Sequence, residues 1–374
     1  MKIGILTLHR VRNYGSVLQA HALCKILKDH GHTPIVIDYI PERFRLRSDL
    51  FFVREDRYKN NGKTNYFKKY LFMILSIMPR LYYYTRFTPF VKKYIPTTQG
   101  KYFTNNDLLA ETFDFDIYMN GSDQVWNMAW ENSVDKAFFL DFVPKGKKKL
   151  AYAASFGKKV LSEDERSIMA PLLRQYNMIT VRESSAVGLL ERMGIGNAIH
   201  VLDPTLLCDK TYWAKLVDKR IIKKPYLAIY QLNYRTCALD YARKIADTLG
   251  LEVVDMSRKF KASEGVDCNK AFVKPEVFLN IMYYADYIVT DSFHGTAFSV
   301  NFNKNFISIK NDFPERAGSL LALTGLADRF VENGVALDEK LILDKIDYKK
   351  VNEILARERL NAEKIIQKIG EIND

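Results

Sequence analysis

Residues 285–302 read Ala-Asp-Tyr-Ile-Val-Thr-Asp-Ser-Phe-His-Gly-Thr-Ala-Phe-Ser-Val-Asn-Phe. The short apolar run from Tyr287 to Thr290 predicts a buried strand. A polar knot of Asp291, Ser292, His294 and Gly295 ends it, and Thr296, Ala297, Phe298, Val300 and Phe302 then suit a helix packed on a sheet. A histidine is thereby placed where a strand passes into a helix. Open α/β sheets bind ligands at that edge, because helix N-termini offer free N–H groups and positive partial charge. A capping cluster around a structural histidine is the bland alternative, since such turns commonly carry capping polar residues.

The same alternation extends in both directions. Lys2–Thr7 predicts a strand, Val17–His30 a helix closed by Gly31, and Pro34–Tyr39 a second strand. Further strands are expected over Asp116–Met119, Leu150–Ser155, Met178–Val181 and Ala198–Leu202. Helices are expected over Asp107–Thr112, Glu163–Tyr176 and Ser184–Met193. Asp203-Pro204-Thr205 breaks the pattern and reads as a domain boundary. Beyond it come strands at Tyr226–Gln231, Glu252–Asp255, Tyr287–Thr290 and Asn305–Ile309. Helices are expected near Tyr212–Val217, over Ala238–Leu249, near Pro275–Tyr283 and over Ala317–Gly325, with a long charged helix over Ile346–Ile372. The reading is an α/β protein of two Rossmann-like domains, 1–203 and 204–335, followed by a helical tail, 336–374. Both sheets are mainly parallel, with a ligand cleft between the domains.

At 374 residues the chain is long enough for two cores, and 48% hydrophobic with 27% charged residues is ordinary globular composition. No run approaches the roughly 20 apolar residues that cross a bilayer. Met1–Leu6 opens directly as a strand, so a cytoplasmic location is expected. Cys24, Cys208, Cys237 and Cys268 are scattered without metal-site spacing, and neither zinc, another metal nor disulfides are expected. Between Glu42 and Lys101, fourteen Lys/Arg stand against four Asp/Glu, which holds most of the net charge of +12. This segment, 42–101, interrupts the alternation and reads as a basic, aromatic insertion. Its aromatic and basic residues flank Leu71–Met78. That suits peripheral contact with the inner face of a membrane, or a helical hairpin packed on its own domain. No nucleic-acid motif accompanies the charge, so nucleic acid is not an expected partner.

Two further turns come directly after predicted strands. Asn13-Tyr14-Gly15-Ser16 opens the first helix, where Asn13 and Gly15 permit close approach of a ligand and N–H groups face outward; a plain helix cap by Asn13 is the alternative. Asn120-Gly121-Ser122-Asp123-Gln124 places Asp123 as a base or acceptor for sugar hydroxyls, with Gln124 and Trp126 as hydrogen-bonding and stacking groups, or as an ordinary turn. His9 is near enough in sequence to touch the same cleft. His21, His30, His32 and His200 read as structural.

Assembled, these residues resemble the polysaccharide pyruvyl transferase family. The matching pieces are Gly4-Ile5-Leu6 with Asn13-Tyr14-Gly15-Ser16 and Leu18-Gln19-Ala20; Asn120 to Asn127; Ala151 to Gly157; Val181-Arg182-Glu183; Val201 to Thr205; and Thr290 to Gly295. They span residues 4–310 in the expected order. One departure is the pair Ser292-Phe293, where ketal-forming members often carry a basic residue. The resemblance implies a two-domain fold of the GT-B glycosyltransferase type. It also implies transfer of a pyruvyl group from phosphoenolpyruvate onto two hydroxyls of a sugar or lipid-linked oligosaccharide, a surface-glycan precursor, with no cofactor beyond the donor. On that expectation His294 is the acid, Asp291 its orienting partner, Asp123 the base and Arg182 the donor clamp, a salt bridge between Arg182 and Glu183 or a neighbour being the alternative for Arg182. Asn13, Tyr14, Gly15, Ser16, Gln124, Ser292 and Gly295 line the donor site. A nucleotide-sugar glycosyltransferase on the same architecture, or a non-catalytic glycan-assembly protein, are the alternatives.

Overall fold

Val, Ile, Leu and Tyr fill the short runs between polar turns, and in a computed structural model these runs form two sheets whose strands all lie parallel. Residues 1–45, 59–60, 63–64, 66–127, 134–233, 237–256 and 261–371 are described. Most of the early part of the basic segment, and position 372 of the expected terminal helix, lie outside the described residues.

The first sheet contains β1 (Lys2–Leu6), β2 (Thr33–Tyr39), β3 (Thr97–Tyr102), β4 (Ile117–Asn120), β5 (Lys148–Ala154), β6 (Met178–Val181) and β7 (Ile199–His200). Its order is β3-β2-β1-β4-β5-β6-β7. The second contains β8 (Tyr226–Tyr230), β9 (Glu252–Asp255), β10 (Cys268–Asn269), β11 (Tyr287–Thr290), β12 (Asn305–Ile309) and β13 (Phe330–Val331), in the order β10-β9-β8-β11-β12-β13. Each is a doubly wound sheet whose strand order reverses beside its first strand. In such sheets the crevice at the reversal, outside the carboxyl ends of the strands, is where ligands sit. Here the reversals fall at β1/β4 and β8/β11.

The first helix, Tyr14–Asp29, begins three residues earlier than its apolar pattern suggests. Asn13 caps it, with Oδ1 accepting from the Gly15 amide at 2.9 Å. The basic segment differs more. In place of a hairpin, Tyr66–Tyr94 forms one continuous helix. The segment then ends as β3, which pairs with β2 at the sheet edge. The lower half of the helix is anchored by Phe87, Phe90 and Val91, all buried in the main core, as is Ile95 just after it. Among the described residues no helix is long and apolar enough to cross a membrane. The terminal helix, Tyr348–Ile369, returns its apolar face, Val351, Leu355, Ile366 and Ile369, to the core that also contains Ile3 and Val17 of the first domain.

Candidate active site

The loop after β1 and the loop after β4 are locked together before any ligand group is considered. Thr7 Oγ1 donates to the Ser122 carbonyl at 2.8 Å, and Gln19 Nε2 donates to Thr7 Oγ1 at 2.9 Å. This brings the first turn of helix Tyr14–Asp29 against Asp123, whose carboxylate accepts from the Ser16 hydroxyl. Asp123 holds φ +83°, a conformation costly for a residue with a side chain and one that recurs at functional sites.

Arg182 emerges from the carboxyl end of β6 and is 3% exposed. Its Nε donates to Glu183 Oε1 at 3.0 Å, its Nη1 to Asp203 Oδ2 at 3.2 Å, and its Nη2 lies 4.0 Å from Asp123 Oδ1. The guanidinium also rests 4.3 Å from the centre of the Phe293 ring. Asp203 is the hub. Ser122 Oγ and Arg182 Nη1 donate to its Oδ2, while the Thr205 amide and hydroxyl donate to its Oδ1. Burial alone would push this carboxyl up. The His294 imidazole, the Arg182 guanidinium and the Thr205 hydroxyl outweigh burial and hold it well below the usual carboxylate range.

His294 enters from the second domain, in the first turn of helix Phe293–Asn301. Its Nε2 stands 3.8 Å from Asp203 Oδ2, beyond hydrogen-bonding distance. Gly15 is required there sterically: a Cβ on it would lie 1.9 Å from His294 Nδ1, so only a glycine lets the helix start meet the imidazole. Gly295 serves the same purpose toward Thr290, whose Oγ1 would be 2.1 Å from an added Cβ. Two buried donors in this cluster, His294 Nε2 and Arg182 Nη2, have no hydrogen-bond partner. Such groups are costly to bury and concentrate at functional sites.

Thus His294, Arg182, Asp123, Ser16 and Gly15 converge. Asp291 does not orient His294. Its two oxygens accept from the Leu232 and Asn233 amides at 2.7 and 2.8 Å, which fixes the loop after β8. Tyr14 is also not placed for donor binding: it stacks on Phe278 at 4.3 Å and donates to the Val273 carbonyl, pinning the two domains. Trp126 is 1% exposed and packs against Phe156, so it offers no stacking face. His9 faces Asp38 and the Thr7 carbonyl rather than the cleft. Ser292 is buried at the N-cap of its helix without a side-chain cap bond.

Two residues escaped the sequence reading. Asp203 was visible in Asp-Pro-Thr but read as a boundary, because the same residues do cap a short helix, Pro204–Leu207. Arg316, near the start of helix Glu315–Leu323, carried no motif at all. It meets Gln124: with the amide oxygen turned toward it, Arg316 Nε and Nη1 donate at 3.2 and 2.9 Å. Among the described residues no group of three His, Cys, Asp or Glu side chains is arranged to hold a metal ion.

The sequence matches the family model described as polysaccharide pyruvyl transferase over residues 13–313, more than three quarters of the chain. The chain belongs to the polysaccharide pyruvyl transferase family. No curated protein matches its sequence. Among solved structures, a putative UDP-N-acetylglucosamine 2-epimerase from Listeria monocytogenes is similar, with a TM-score of 0.54 at 11% identity, covering 100% of this chain and 97% of that one. A Streptomyces glycosyltransferase complexed with thymidine diphosphate has a TM-score of 0.47 at 15% identity, covering 99% of each chain. The epimerase, at this low identity, shares the fold of this pyruvyl transferase family member. The family match makes it a transferase, and the matched span contains Asp123, Arg182, Asp203 and His294.

Proposed function

We propose that the protein transfers a pyruvyl group from phosphoenolpyruvate to two hydroxyls of one sugar in a surface-glycan precursor, giving a pyruvate ketal and inorganic phosphate. The observation that carries this reading is the pair of buried, unpartnered donors, His294 Nε2 and Arg182 Nη2, on either side of the Asp203 carboxylate, beyond the carboxyl ends of their strands. His294 delivers a proton to the methylene carbon of the donor, and C2 becomes an oxocarbenium centre. One sugar hydroxyl adds to C2. The C2–O bond to phosphate then breaks, and the second hydroxyl adds to the renewed cation. Each hydroxyl gives up its proton: one replaces that lost by His294, and the other leaves with phosphate. Asp123, on the first-domain wall, is the acceptor for a hydroxyl proton, and the ionised Asp203 faces His294 Nε2 at 3.8 Å. The scheme requires no cofactor besides the donor.

The acceptor we propose is lipid-linked, presented at the inner face of a membrane. Support comes from helix Tyr66–Tyr94. Phe67, Tyr70, Leu71, Ile74, Leu75 and Met78 recur at helical spacing on one face and are exposed, Phe67 by 77% and Met78 by 72%. They lie within the strongly basic segment, as expected of an interfacial helix at an anionic surface.

Calorimetric titration tests the donor. The parent should bind phosphoenolpyruvate saturably, and His294→Asn should fold normally and still bind it. With an acceptor present, that variant should release phosphate about 10²–10⁴-fold more slowly. A parent that binds nucleotide sugars and ignores phosphoenolpyruvate would overturn the reading.

A further inference from the structure

The charge of Arg182 is already committed within the protein. Glu183, Asp203 and Asp123 stand 3.0, 3.2 and 4.0 Å from its nitrogens, so the cluster around it carries excess negative charge. A phosphate and a carboxylate brought into that cluster would meet three carboxylates behind one guanidinium. The donor needs a cation elsewhere in the cleft.

Arg316 fits that need. It lies on the second-domain wall, partly buried, and among the described residues no carboxylate reaches ion-pair distance of it. Its helix neighbour Glu315 pairs instead with Lys159 at 3.5 Å. Gln124, a neutral amide of the first domain, is its hydrogen-bond partner. Burial and the charge of Arg182 push its pKa down to about 10, against the pull of Asp123, Glu183 and Asp291. A half-buried guanidinium that no described carboxylate reaches is only partly compensated, and an arriving oxyanion offers it a planar, two-pronged contact.

We infer that Arg316 is the principal anion-binding residue of the cleft, gripping the phosphate of the donor, and that Arg182 chiefly positions Asp203, Glu183 and Asp123. Gln124 then holds Arg316 in place until the oxyanion takes over. This inference rests on the reading of the cleft as a donor site.

Isothermal titration with phosphoenolpyruvate, inorganic phosphate and uridine diphosphate tests it on the full-length parent, Arg316→Gln and Arg316→Lys. Arg316→Gln should melt like the parent and bind phosphoenolpyruvate and phosphate about 10- to 100-fold more weakly. Arg316→Lys should recover part of the phosphate affinity as a point charge. If Arg316→Gln binds phosphoenolpyruvate within two-fold of the parent, the inference fails while the pyruvyl-donor reading stands. If the parent binds only uridine diphosphate, and does so through Arg316, the pyruvyl-donor reading fails and the anion role stands. A folded parent that binds none of the three overturns both.

Discussion

Asp203 carries the clearest pH consequence at the scale of single residues. Its carboxyl is held below the usual range in the folded protein, despite burial, by His294, Arg182 and Thr205. A depressed folded-state value means that the ionised carboxyl favours the native state. That contribution is complete above the ordinary carboxylate value of about 4 and is lost progressively as pH falls from there toward the lower folded-state value. Urea denaturation between pH 3 and 7 should show a steep acid loss in the parent. Asp203→Asn should be less stable at pH 7 by about 3–5 kcal/mol, because it leaves Arg182 with fewer counter-charges, and its acid limb should be shallower. Parallel limbs would show that Asp203 is not the group being protonated. That His294, Arg182 and Asp123 stand near one another follows from the sequence pattern, since each comes just past a strand, and Ser16 joins them at the start of the helix that follows β1. Asp291 was misassigned for an instructive reason: three residues of separation along the chain placed it near His294, yet its oxygens point to the amides of Leu232 and Asn233. Arg316 was invisible because its position depends on how helix Glu315–Leu323 meets Gln124 of the other domain, and no local pattern encodes that meeting.

Among the elements, the strands of the second domain read most cleanly. Glu252–Asp255, Tyr287–Thr290 and Asn305–Ile309 have the same ends in the sequence reading and in the fold, because short apolar runs between polar turns leave little choice. The helix Tyr66–Tyr94 was harder. An interior proline, here Pro79, removes a helix hydrogen bond and costs about 3 kcal/mol. The helix nevertheless continues through it, with its lower half fixed by Phe87, Phe90 and Val91. Beyond the helix, Thr97–Tyr102 is edge strand and not insertion, since Thr97 and Lys101 find partners on β2. The exposed face of the upper half yields a direct expectation. Replacing Phe67, Ile74 and Leu75 together by serine removes apolar surface that no described part of the chain covers. Flotation with anionic vesicles at low salt should show binding weakened on the order of 100-fold, with an unchanged melting curve. Equal flotation of parent and triple variant would remove the membrane from the account.

Across the whole molecule, the geometry of the candidate site depends on groups far from its centre. His294 and Asp203 lie on different elements, and their separation is set at the opposite end of the helix that carries His294. Seven residues on, about 10 Å along the axis, Asn301 Nδ2 donates to the carbonyls of Thr205 and Cys208, on the segment that Asp203 opens. The terminal helix closes this arrangement. Arg359 Nε donates to the Leu206 carbonyl at 2.8 Å and Nη2 to Asn301 Oδ1 at 3.0 Å, so one guanidinium ties both segments. At the start of that helix the Tyr348 hydroxyl contacts the carbonyls of Ser299 and Lys304. The tail is therefore a strap that keeps His294 facing Asp203. Arg359→Met preserves the apolar stem and removes both contacts. Denaturation should show a loss of about 1.5–3 kcal/mol. Phosphate release should slow as well, with phosphoenolpyruvate affinity little changed, because the proposed proton donor loses its alignment while Arg316 is untouched. Arg359→Lys cannot span two acceptors at once and should restore little of the rate. A variant that loses stability yet turns over at the parental rate would confine the strap to holding the fold.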